Sequence, residues 1–146
     1  MNVERGVSTL ACLVATATYA AVPGAQTVER FKDRLSRLPV DRATTSAVSG
    51  QGEVSAMLDG HELTITATFE GMSSSATVAH LHNAPRARPG PVAFTIEVPP
   101  TTTGKISNTI TLTDTQREEL RGGRYYLQIH TEGNPGGELR GWLLPQ

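Results

Sequence analysis

After the first stretch of the chain, apolar and polar residues alternate in short runs. The clearest is His61 to Phe69, where Leu63, Ile65, Ala67 and Phe69 alternate with Glu62, Thr64, Thr66 and Thr68. Side chains of a strand point to opposite faces in turn, so this pattern predicts an antiparallel strand with one face in the core and one in water. Gly52 to Leu58 leads into it through Asp59-Gly60, a pair suited to the positive φ of a tight hairpin. Further strands are predicted over Phe31–Leu38, Ala76–His82, Val92–Val98, Ile106–Leu112, Arg124–Thr131 and Glu138–Leu144. Between them lie breakers: Gly71-Met72-Ser73-Ser74-Ser75, Asn83-Ala84-Pro85, Pro89-Gly90-Pro91, Pro99-Pro100 and Asn134-Pro135-Gly136-Gly137. One segment departs from period two. Thr113-Asp114-Thr115-Gln116 has the form of a capping box and should open a short helix reaching about Leu120, closed by Gly122-Gly123. Short strands at this spacing predict an all-β fold, an antiparallel β-sandwich with one short helix.

The first residues read differently. Arg5 precedes an apolar stretch from Val7 to Val22, and small residues follow at Ala20, Ala21, Gly24 and Ala25. That order predicts a signal peptide over residues 1–25, a single domain over residues 26–146, and a secreted or periplasmic protein. The stretch is short for a membrane span, so the mature chain is expected to have none. Cys12, the only cysteine, falls inside it. The mature domain is then without disulfides, thiolate metal sites or a cysteine nucleophile, and its stability must come from the core.

Charge changes the picture little. The formal net charge is -1, and Arg30, Lys32, Arg34 and Arg37 alternate with Glu29 and Asp33, as expected of a solvated edge. With three Phe, three Tyr and one Trp in the whole chain, a nucleic-acid surface of basic and stacking residues is not expected.

Candidate chemistry lies with histidine. Three of the four histidines fall in two segments, His80-Leu81-His82 and Ile129-His130-Thr131. A His-x-His pair on a strand projects both imidazoles from one face. Alternation puts Ala76, Val78, His80 and His82 on one face of the first strand, and Tyr126, Gln128 and His130 on one face of the second. If the polar ends of both strands meet at one rim of the sandwich, His80, His82 and His130 form a three-imidazole metal site with an open position. Copper is favoured on intrinsic affinity. One metal requires the donor nitrogens within about 3–4 Å of each other, since each bond is near 2 Å. His61, beside the hairpin, ranks below these three as a fourth ligand. Glu138 and Arg140 share a face of the last strand. They could orient a ligand imidazole or attract an anion, or simply form an ion pair or cross-strand pair. Ser73, Ser74 and Ser75 have no adjacent histidine, which makes a hydrolase reading poor.

The chain resembles the CHRD domain, a module described in chordin and also found singly in secreted bacterial proteins. The likeness rests on the Asp59-Gly60 hairpin, His80-Leu81-His82-Asn83-Ala84-Pro85 with Gly90-Pro91-Val92, and Leu112-Thr113-Asp114-Thr115-Gln116. Tyr126-Leu127-Gln128-Ile129-His130-Thr131 and Asn134-Pro135-Gly136-Gly137-Glu138-Leu139-Arg140-Gly141 complete it. The family usually opens on a Gly-Ala-x-Glu-Val-Pro-Pro type of segment, where this chain has Ser36-Arg37-Leu38-Pro39-Val40. The resemblance implies no activity of its own. The sandwich is expected to be Greek-key, immunoglobulin-like or Cu/Zn superoxide dismutase-like, and by analogy alone the histidine pattern is similar to the copper site of those dismutases. Asn83 to Pro91 holds no histidine or carboxylate, so a redox site would be copper-only. The competing function is a non-enzymatic module contacting an extracellular protein partner through Arg86-Ala87-Arg88 and the sandwich edges.

Overall fold

The computed structural model describes residues 27–38 and 45–146. The expected signal segment with Cys12, and Pro39-Val40 of the atypical opening segment, lie outside the described residues. Each predicted strand forms, in chain order: β1 (Glu29–Arg37), β2 (Gln51–Asp59), β3 (Glu62–Glu70), β4 (Ala76–Asn83), β5 (Val92–Ile96), β6 (Gly104–Thr111), then helix α1 (Asp114–Arg121), β7 (Tyr125–Thr131), β8 (Leu139–Trp142) and β9 (Leu144–Pro145). The pairing order is β5-β4-β7-β8-β1-β2-β3-β6, with β9 also on β1. All neighbours are antiparallel. Strand β1 is the corner: it pairs with β2 over most of its length, with β9 at Phe31 and Lys32, and with β8 at its end. The β2-β3-β6 half therefore folds against the β8-β7-β4-β5 half, giving an all-β, nearly closed sandwich.

The core is the set of inward positions that alternation marks out. Leu63, Ile65, Ala67 and Phe69 of β3 and Val54, Ala56 and Leu58 of β2 face Ala79 and Leu81 of β4 and Tyr125, Leu127 and Ile129 of β7, all essentially inaccessible to water. At about 25 cal/mol per Å² of buried apolar area, this continuous cluster suits a domain with no cross-link among its described residues.

Three local details depart from the expected pattern. Asp59 pairs with Glu62, so the two-residue loop is Gly60-His61, with Gly60 at φ 58°; His61 belongs to the turn and not to the strand. In β4 the register against β7 shifts between Ala76 and Val78. This bulge reverses the parity, so Ala76 enters the core with Ala79 and Leu81 instead of sharing the face of His80 and His82. The last predicted strand divides at Leu143, whose N–H donates to Tyr125 O while Leu144 crosses over to pair with Lys32. Helix α1 starts as expected: the Thr113 hydroxyl accepts from Gln116 N–H and the Gln116 side chain accepts from Thr113 N–H.

Candidate metal centre

Strands β4 and β7 are direct neighbours, which places the histidines on one outer sheet face. Val78 lies opposite His130, His80 opposite Gln128, and His82 opposite Tyr126. Because the strands run antiparallel, His130 is diagonal to His80. The imidazoles thus meet across the middle of a sheet face and not at a rim of the sandwich. Each outer residue of β7 is nonetheless buried, because two connections fold over the face. These are the Ala84–Pro91 segment after β4 and the turn from Glu132 to Glu138 between β7 and β8.

The covering loops touch the histidines with main-chain carbonyls. His130 Nδ1 lies 2.8 Å from Pro135 O, and His82 Nδ1 lies 2.8 Å from Gly90 O. A carbonyl only accepts, so Nδ1–H must donate in both contacts, and the lone pair of each neutral ring sits on Nε2. His130 Nε2 lies 3.0 Å from His80 Nδ1. His82 Nε2 is buried without a hydrogen-bond partner. An orphaned lone pair in a buried site costs free energy unless something else fills its role. The donor atoms of His80, His82 and His130 lie within 4.8 Å of one another. The 3.0 Å separation suits two bonds of about 2 Å to one ion, while the 4.8 Å span exceeds the expected 3–4 Å by under 1 Å, so one ring must close in on binding.

Glycine makes the approach of both loops feasible. A Cβ on Gly90 would stand 2.1 Å from Asn83 O, and one on Gly137, at φ 108°, would stand 2.3 Å from Gln128 Nε2. The Gln128 amide donates to Gly136 O (2.9 Å) and so ties the turn to β7. The ring of Tyr126 stacks on His82 at 4.7 Å, its planes 4° apart, and its oxygen accepts from Gly90 N–H. Trp142 lies against the other neighbour position of Tyr126, at 4.7 Å. Burial first, then repulsion from His130 and His82, lowers the pKa of His80. For His82, burial is again the largest cause of a lowered pKa; the Gly90 contact opposes it, and electrostatic repulsion from His130 and Arg140 adds to it. Both rings are accordingly neutral near pH 7, the form that binds metals.

The remaining sequence candidates go elsewhere. His61 is half exposed in its turn, with Nδ1 against Leu112 O and Nε2 3.8 Å from Asp114; it is not in the cluster. Glu138 neither touches an imidazole nor pairs with Arg140. It is fully buried and accepts from Ser49 N–H, Ser73 N–H and the hydroxyls of Ser73 and Thr131, as well as from Asn134 Nδ2. Through Thr131 and Asn134 it anchors the turn whose Pro135 carbonyl holds His130. Arg140 is the cross-strand partner of Gln128, donating to Oε1 from Nε and Nη2 (3.1 and 2.8 Å). Alternation puts Tyr126 on the face of His130 but does not show its stacking on His82, and the two loop carbonyls carry no sequence signal beyond the Pro-Gly clusters that closely follow both histidine strands.

The arrangement gathers three imidazole nitrogen donors, two of them on rings oriented by backbone carbonyls. Among the described residues no helix is long and apolar enough to cross a membrane. The family model of the CHRD domain matches residues 20–143. No curated protein and no solved structure matches the chain.

Proposed function

The chain belongs to the CHRD domain family, and from that premise we propose that it is an extracellular module whose outer sheet face binds one metal ion, copper in preference, through His80, His82 and His130. The observation carrying this reading is the convergence of three imidazole donors within 4.8 Å, one of them a buried nitrogen with no other partner. His82 and His130 would ligate through Nε2, their Nδ1–H groups held by the Gly90 and Pro135 carbonyls. His80 would ligate through Nδ1, its ring proton moving to Nε2, so that the ion replaces the proton now between His80 and His130. Carbonyl partners of this kind fix the ring orientation and raise ligand basicity. Nitrogen donors without thiolate suit Cu(II), Zn(II) and Ni(II), and Cu(II) has the highest intrinsic affinity of these. When bound, such an ion supplies a Lewis-acidic, open coordination position. The apolar leader over residues 1–25 supports export to the periplasm or the cell exterior, where copper is accessible.

The test is titration of the purified protein with Cu(II), with a competing chelator to set the affinity. One ion per chain should bind, and a His80→Ala, His82→Ala double variant should lose at least a hundredfold in affinity while keeping its fold by circular dichroism. Equal affinity of the double variant and the parent would remove the site.

A second reading has its own observation. Arg86-Ala87-Arg88 is exposed, and Ala87 holds φ 63°, unusual for a residue with a Cβ. A shaped basic loop suits contact with an acidic protein partner. Binding to a partner that ignores both chelators and histidine substitutions would favour that reading over metal binding.

A further inference from the structure

Among the described residues, the outward positions around the three histidines carry the positive charge of Arg140, and the nearest carboxylate on the neighbouring strand β1, Asp33, is taken up by the Trp142 N–H (3.0 Å). The outward positions of β4, β7 and β8 contribute no carboxylate. Glu138, which precedes β8, is turned wholly into the loop hydrogen bonds. Glu132 lies beyond the end of β7 and is exposed. Arg140, by contrast, is part of this face. Its guanidinium is held by Gln128 Oε1 and lies with its central carbon 4.6 Å from the Tyr126 ring centroid. That same ring stacks on His82 at 4.7 Å. None of the ion pairs among the described residues involves Arg140. Gln128 is itself fixed to Gly136 O, so the cation is positioned one ring away from the histidine cluster and is not free to swing toward a distant acid.

Three neutral imidazoles do nothing to offset the charge of a divalent ion. With Arg140 one aromatic ring away, the filled site would hold an excess of positive charge in a partly dry setting. We propose that the metal held by His80, His82 and His130 takes a small, metal-ligating monovalent anion at its open position, and that Arg140 raises the affinity for that anion. The inference rests on the metal-binding reading above. A fixed positive charge near the site attracts an anion and repels a cation, so its removal must act on the two ligands with opposite sign. A residue that only props up the site would, when lost, weaken both together.

Azide is a suitable probe, since its bond to Cu(II) gives a charge-transfer absorption absent from either component. Copper-loaded parent protein, Arg140→Gln and Arg140→Lys would be titrated with azide, and the copper affinity of each measured by chelator competition. The expected result is azide affinity lower by about five- to tenfold in Arg140→Gln, as for loss of one charge several ångströms away. Copper affinity should rise in the same variant, and Arg140→Lys should keep most of the parent's azide affinity. Equal azide affinity in the parent and Arg140→Gln would overturn the inference. So would parallel loss of azide and copper binding in both variants while the parent still takes up one copper ion, or the absence of any azide band on the copper-loaded parent. Failure of the parent to take up copper would overturn this inference together with the reading it rests on.

Discussion

Replacing Glu138 by glutamine tests the account of the buried loop junction. The carboxylate is fully buried, and no cation lies within ion-pair distance among the described residues. Oε1 accepts from the N–H groups of Ser49 (2.9 Å) and Ser73 (2.7 Å); Oε2 accepts from Ser73 Oγ (2.9 Å), Thr131 Oγ1 (2.7 Å) and Asn134 Nδ2 (3.1 Å). Burial alone would raise the pKa of this group, but the donors outweigh it, and the pKa is lowered. Glutamine keeps the oxygen that meets the two backbone N–H groups. It turns an NH₂ toward Asn134 Nδ2, a donor facing a donor, and the two hydroxyls must rotate to accept. A hydrogen bond to a charged acceptor contributes about 1.5–3 kcal/mol against about 0.5–1.5 kcal/mol for a neutral one. Four bonds fall to neutral strength and one is lost, partly offset by the relief of a buried charge, so E138Q should be destabilised by about 2–4 kcal/mol in urea unfolding at pH 7. The pH dependence has a definite sign. A carboxyl group with a lowered folded-state pKa contributes stability above its unfolded value, about 4.3, and loses that contribution as pH falls through the folded value. The gap between parent and E138Q should therefore narrow below about pH 4. A penalty under about 0.5 kcal/mol at pH 7, or a gap that stays constant with pH, would refute the reasoning.

Other substitutions probe separate parts of the structure. Gly137→Ala forces a Cβ to 2.3 Å from the Gln128 amide at φ 108°; it should cost about 1–3 kcal/mol in thermal or urea unfolding and weaken copper binding as the turn shifts. Thr113→Ala removes the hydroxyl that caps α1 and should lower stability by about 1 kcal/mol in the same assay, with copper affinity unchanged. His61→Ala should also leave copper affinity unchanged by chelator competition, because that ring faces Leu112 O and Asp114.

Alternation made the strands legible because the buried face of β3 and the inner positions of β7 follow period two without interruption. The capping box was equally local and readable. What failed to show was whatever depends on pairing or on the main chain. The bulge at Ala76–Val78 is set by the register against β7, and nothing in Ala76-Thr77-Val78 announces it. The histidines could be assigned to faces, but their meeting at mid-sheet required knowing that β4 and β7 are neighbours. The carbonyls of Gly90 and Pro135 fix the imidazole tautomers, and a carbonyl carries no residue identity to be read. For Glu138, spacing from Arg140 suggested a shared role, whereas three of its five hydrogen bonds come from Ser49 and Ser73, far away in the chain.

The most direct measurement of the central claim is the count of imidazole nitrogens on the bound ion. Electron spin-echo and electron–nuclear double-resonance spectra of the protein carrying one equivalent of Cu(II) should show three coordinated imidazoles. Single substitution of His80, His82 or His130 should each reduce the count by one, and substitution of His61 should not. Spectra with a single imidazole, or a count unmoved by the three substitutions, would contradict it.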